Sequence, residues 1–178
     1  MDPATFKSRF VAAHGNIPEW ADFDPSEFVI FELDALLQVP LPAADAKFLS
    51  EIGLPASAAP MLDFYAWSAD EVASMRVTYG IPGDFFPIGQ TNSGDQICVG
   101  GPRGAVLYFE HDVAPPPSVF INSSLLLFAE SLCVYQQLFV ERRHAEVAEA
   151  LRRIDPPAML PGAMWYADSQ IPPADNSR

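Results

Sequence analysis

The sequence predicts a single-domain α+β fold in which an antiparallel β-meander packs against helices. Three observations carry that reading. Four short apolar runs, residues 85–90, 96–99, 105–110 and 119–121, are separated by segments rich in Gly, Asn, Asp and Pro. A long apolar stretch follows, with Leu125, Phe128, Leu132, Tyr135 and Phe139 at spacings of three and four, which stack along one helical face. The 178 residues suffice for one well-filled core and hardly for two.

The elements follow in order. Residues 3–14 suit a short helix with Phe6, Phe10 and Val11 on one side. Trp20 and Phe23 lead to an apolar run at 28–31, read as a strand. Residues 42–53 have both ends of a helix: Pro42 near the first turn, where no N–H is needed, and Gly53 after the last, where a left-handed residue fits. Leu54-Pro55 then turns the chain away, and residues 61–66 read as another strand. In the meander, Thr91-Asn92-Ser93-Gly94-Asp95, Gly100-Gly101-Pro102-Arg103-Gly104 and Pro115-Pro116-Pro117-Ser118 supply the reversals. Sequential strands with short links pair antiparallel.

Asn122-Ser123-Ser124 offers oxygens to cap the long helix. Leu126, Leu127, Val134 and Leu138 widen its apolar face, so protein should nearly surround it. His144, Val147, Leu151 and Ile154 continue a helical rhythm, with a break expected near Arg142-Arg143. Asp155-Pro156-Pro157 ends that helix. Residues 159–171, around Trp165-Tyr166, form the last packed element. The domain is residues 1–171, and 172–178 read as a loose tail.

Charge narrows the function classes. Ten Lys plus Arg stand against 23 Asp plus Glu, a formal charge of -13. Phosphate backbones and anionic membranes both require the opposite surplus, so neither nucleic acid nor membrane is an expected partner. A basic protein is, because opposite fields speed encounter; the same acidity also serves solubility. The excess is local. Residues 48–141 contain Arg76 and Arg103 against ten acids, whereas from Arg142 onward five Arg balance five acids.

Cys98 and Cys133 sit in apolar settings without metal-ligand spacing, which suits reduced, buried thiols. The first residues lack the basic-then-apolar order of a signal peptide, so the expected compartment is cytoplasmic. No phosphate loop, nucleophile elbow, dinucleotide fingerprint or zinc pair occurs, and neither a cofactor nor a metal site is expected. The one enzyme-like pairing is Cys98 with His111, a thiol and a base on neighbouring strands. Apolar flanks raise a thiol pKa and oppose it. Asp84, Asp95, Glu110 and Asp112, at strand ends and turns, are better candidates for partner contact than for catalysis. Trp67, followed by Ser-Ala-Asp-Glu, is the candidate exposed aromatic anchor, and Trp165 belongs in the core.

Phe86-Pro-Ile-Gly-Gln-Thr-Asn-Ser-Gly-Asp-Gln-Ile-Cys-Val, with Gly89 and Gly94, precedes Gly104-Ala-Val-Leu-Tyr-Phe-Glu-His-Asp and then Ile121-Asn-Ser-Ser-Leu-Leu-Leu-Phe-Ala-Glu-Ser-Leu. This order resembles the SUKH superfamily. Phe48-Leu-Ser-Glu-Ile-Gly-Leu-Pro, ending beyond Gly53, and the stretch from Ile154 to Trp165 resemble its flanking parts, so the likeness covers roughly residues 45–171. The family pattern often has an acid after the second meander strand, where this chain has Gly100. The resemblance implies structural roles for Gly53, Gly89, Gly94, Asn122, Ser123 and Trp165, and a SUKH-like α+β domain without a catalytic constellation. It further implies an immunity protein that blocks a toxin, often a nuclease or deaminase, by tight binding. A regulatory or scaffold module for an endogenous partner uses the same kind of surface.

Overall fold

The computed structural model describes residues 3–15 and 24–171. The expectations for Trp20, Phe23 and the 172–178 tail lie outside the described residues.

A 3-10 turn, Pro3–Thr5, leads into α1 (Phe6–Ala13). Phe6 and Phe10 are fully buried, and each meets the Phe28 ring edge-on, at 5.7 and 6.0 Å. Burial of each ring contributes roughly 2–3 kcal/mol, which fastens α1 to the body of the fold. β1 (Phe28–Val29) precedes α2 (Leu33–Leu36) and α3 (Ala43–Glu51) and pairs with β2 (Leu54–Pro55). Leu54-Pro55 is therefore a strand as well as a change of direction. α3 stops where expected: Gly53 has φ +77°, and a Cβ there would strike the Val29 carbonyl oxygen. Handedness and space both require glycine.

β3 (Ser57–Ala58) and β4 (Leu62–Phe64) begin a six-stranded antiparallel sheet. It continues through β5 (Phe85–Thr91), β6 (Gln96–Gly100), β7 (Ala105–Phe109) and β8 (Ser118–Asn122) in strictly consecutive order. The expected meander is thus present and extended at one edge. Between β4 and β5 lies α4 (Ala69–Thr78), which the apolar pattern does not announce because only Val72 is buried. A capping box starts it: Glu71 N–H donates to Ser68 Oγ at 3.4 Å, and Ser68 N–H donates to the Glu71 carboxylate at 2.8 Å.

Register shifts between Pro87 and Gly89 in β5. Proline has no N–H for the ladder, and Gly89 lies too close to the Asp63 carbonyl and Phe64 for any side chain. A bulge accommodates both. Strand alternation then sorts the sheet. Phe86, Ile97, Val99, Val106 and Ile121 join the main core, whereas Cys98 and Phe109 pack on the other side with Ile81.

α5 (Leu125–Val140) lies on the main-core face, in contact with α1 and with α6 (His144–Ile154). Leu125, Phe128, Leu132 and Tyr135 are buried as their spacing requires; Phe139, near the C-terminus, is half exposed. The expected break is a Schellman turn. Arg143 N–H donates to the Leu138 carbonyl at 2.8 Å and Arg142 N–H to Phe139 at 3.1 Å, with Arg142 left-handed at φ +58°. A second 3-10 turn, Pro156–Met159, and α7 (Met164–Ser169) complete the fold. Among the described residues, no helix is long and apolar enough to cross a membrane.

Candidate protein-binding site

The β5–β6 turn folds around its own side chains. Thr91 Oγ1 accepts the Ser93 and Asp95 N–H groups at 3.3 Å and donates to Asp95 Oδ2 at 3.2 Å. Asp95 Oδ1 accepts the His111 backbone N–H at 3.3 Å and lies 2.9 Å from His111 Nδ1. His111 Nε2 meets Asp112 Oδ1 at 3.1 Å. One imidazole bridges two carboxylates, and the hydrogen bond to Asp95 holds its pKa above the ordinary histidine value. Glu110, just past β7, is close enough that it and Asp95 add to the upward push that burial gives the Tyr108 hydroxyl.

Asp95, Glu110 and Asp112 therefore gather at one end of the sheet. Asp84 does not join them. It precedes β5 at the opposite end, where its carbonyl accepts the Gly101 N–H at 3.0 Å. At about 3.3 Å per strand residue, that is roughly 20 Å from Asp95.

Beside the acidic corner a cleft of about 220 Å³ opens between the β5–β6 turn, the residues before β4, and α7. Ser93, Asp95 and Tyr108 line one side; Met61, Asp168 and Ile171 line the others. Met61 and Ile171 are 64% and 69% exposed. Met61 also has φ +74°, a left-handed conformation costing a residue with a Cβ roughly 1 kcal/mol. Asp168 Oδ2 accepts the Tyr135 hydroxyl at 2.7 Å, and burial raises the pKa of both groups. Such strain and exposed apolar surface, next to carboxylates, suit contact with another molecule.

The sequence-marked Asn122 and Ser123 have a different task from helix capping. Ser124 alone caps α5, its Oγ accepting the Leu127 N–H at 3.4 Å. Asn122 and Ser123 instead hold Asp155, which is 2% exposed. Asp155 Oδ2 accepts Asn122 Nδ2 at 3.0 Å and the Ser123 N–H at 2.7 Å; Oδ1 accepts the Ser123 hydroxyl at 2.8 Å. Asn122 Nδ2 also donates to Ser131, and its Oδ1 accepts Trp165 Nε1 at 2.9 Å. Donors on every side let a carboxylate stay in the interior. Trp165 is core, as its sequence setting predicts.

Asp45 has no such company. It is 6% exposed, its Oδ2 is buried without a hydrogen-bond partner among the described residues, and it packs directly on Gly104 of the β6–β7 turn. Desolvation pushes its pKa up to about 6.

The expectation for Trp67 is corrected. Trp67 is half-buried rather than exposed, packed against the core with its ring 5.5 Å from Tyr65. Cys98 and His111 do not form a thiol–base pair. Both His111 nitrogens meet carboxylates, while Cys98 is fully buried, donates to its own strand at the Gln96 carbonyl (3.6 Å), and has its pKa raised well up by burial. Among the described residues no group of three or more His, Cys, Asp or Glu converges on a metal-sized space.

The domain is thus of the α+β class, a consecutive antiparallel meander with Asp155 held in a buried hydrogen-bond network and an acidic corner at one end of the sheet. The SUKH-4 immunity protein family matches residues 19–170, and the chain belongs to that family, a branch of the SUKH superfamily. Neither the curated proteins nor the solved structures yield a match.

Proposed function

We propose that this protein neutralises a cognate toxin, a nuclease or deaminase, in the cytoplasm by direct binding and without catalysis of its own. Family membership across residues 19–170 is the observation that carries the reading. The acidic corner of Asp95, Glu110 and Asp112 supports an interface there, because a toxin that grips nucleic acid is basic. Trp67, half-buried on the same body, and Asp84, at the far end of β5, are secondary contact candidates.

Coexpression with the toxin-like reading frame beside its gene tests the proposal. Rescued growth and a complex that survives gel filtration are the expected results. Unrelieved toxicity with no complex would sink the immunity reading. Within such a complex, Glu110→Lys with Asp112→Lys should slow association about tenfold or more at low salt and flatten its salt dependence. An unchanged on-rate would place the interface elsewhere.

A further inference from the structure

The cleft beside the acidic corner has a rim that neither folding nor the carboxylate bridge uses. Met61 and Ile171 stand at 64% and 69% exposure across a space of about 220 Å³, and Met61 holds a left-handed backbone to do so. The walls add an aromatic ring, Tyr108, and two carboxylates, Asp95 and Asp168; none of the lining residues is Lys or Arg. Asp168 uses one oxygen for the Tyr135 hydroxyl. Its other oxygen has no protein donor among the described residues.

We infer that this cleft receives an arginine side chain of the toxin, its aliphatic stem between Met61 and Ile171 and its guanidinium against Tyr108 and the Asp168 carboxylate. The assignment rests on the immunity reading for the source of the side chain. Its chemistry rests on the cleft alone. Arginine matches each wall: a long apolar stem for the rim, a planar cation for the ring face, and a donor fork for a carboxylate. Lysine supplies the stem and charge but neither the plane nor the fork. Burial also leaves Asp168 short of water, a deficit an incoming guanidinium corrects by charge and hydrogen bonds.

The decisive probe is N-acetyl-arginine amide, titrated into the full chain and followed by amide NMR shifts. N-acetyl-citrulline amide serves as the neutral isostere. Shifts at Ser93, Asp95, Tyr108 and Asp168 that are absent with citrulline, and lost in Ile171→Lys, support the inference. Shifts spread over acids elsewhere, or unaltered by Ile171→Lys, overturn it. Binding that appears only after residues 172–178 are deleted also overturns it, because the chain's own end would then be the occupant.

A second arm uses the toxin domain encoded beside the gene. Ile171→Lys and Met61→Gly should each weaken that complex at least about tenfold without lowering the thermal midpoint, whereas Thr78→Lys on α4 should not. If both cleft variants bind as tightly as the unaltered chain, the inference fails while immunity stands. If the unaltered chain binds no toxin, immunity fails, and the amide titration still decides the cleft.

Discussion

The Asp155 carboxylate accepts the Ser123 backbone N–H at 2.7 Å and the Ser123 hydroxyl at 2.8 Å, tying the residue after β8 to the residue that ends α6. This buried junction has no cation in its hydrogen bonds, and its donors are an amide side chain, a backbone N–H and a hydroxyl. Removing the carboxylate takes the shared acceptor from all three, although Asn122 keeps its bond to Ser131. Asp155→Ala should cost roughly 3–5 kcal/mol in urea unfolding, and Asp155→Asn less, since one acceptor oxygen survives. A loss below about 1 kcal/mol for the alanine variant would mean that water replaces the network without strain.

Asp45 makes the opposite case, a buried carboxylate whose Oδ2 has no hydrogen-bond partner among the described residues, although it sits in the first turn of α3. Its folded pKa of about 6 lies above the ordinary aspartate value of 3.8. The native state therefore holds the proton more tightly than the unfolded chain between those pH values. The stabilising contribution of the protonated form is present at low pH and is lost as pH rises through about 6. Asp45→Asn should raise stability at pH 7.5 by roughly 2 kcal/mol and flatten the pH dependence between the two pKa values. Denaturant midpoints across that range provide the check.

Arg142 occupies the position of a Schellman turn that glycine fills without strain. Arg142→Gly should gain roughly 1 kcal/mol, with no change in helix content by circular dichroism. A loss would show that the arginine side chain contributes more than its backbone costs.

His111 has its pKa raised chiefly by the hydrogen bond to Asp95, with Asp112 adding to the effect. Its NMR titration midpoint should lie above 6.5 and return toward that value in Asp95→Asn. The bridge's contribution to stability is present below the ordinary histidine pKa and disappears as pH rises through the elevated one.

Both thiols are held protonated, Cys133 at about 11 and Cys98 well above its ordinary value, each chiefly by burial. Native protein should resist iodoacetamide at pH 8 for hours, and both thiols should label once it is unfolded. Rapid native labelling at Cys98 would revive the thiol-enzyme reading that its surroundings oppose.

These sites differ in how openly the sequence declares them. The meander strands, the α3 stop at Gly53 and the break at Arg142-Arg143 rest on local signals: turn residues, apolar runs, a change of rhythm. β1 shows as the apolar run at 28–31, whereas β2 and β3 are two residues each, too short for alternation to register. α4 buries a single side chain and so has no stripe, although Ser68 and Glu71 at cap spacing mark its start. Asp155 reads as a helix terminator because its partners Asn122 and Ser123 stand 33 and 32 positions away. Likewise the acids of the meander turns are visible one by one, but only strand direction separates Asp84 from Asp95, Glu110 and Asp112. The cleft joins Met61 to Ile171, a pairing no local pattern encodes.

The strictly consecutive order of the six strands also bears on how fast the domain assembles. Neighbours in the sheet are neighbours along the chain, so most pairing closes short loops and the sheet can zip from any hairpin. The nonlocal events are the packing of α1 on α5, elements far apart along the chain, and docking of the last helical segment, when Trp165 reaches Asn122 across 43 positions. Weakening that contact should leave the rate of strand pairing largely intact and instead lower the barrier to the C-terminal segment peeling away.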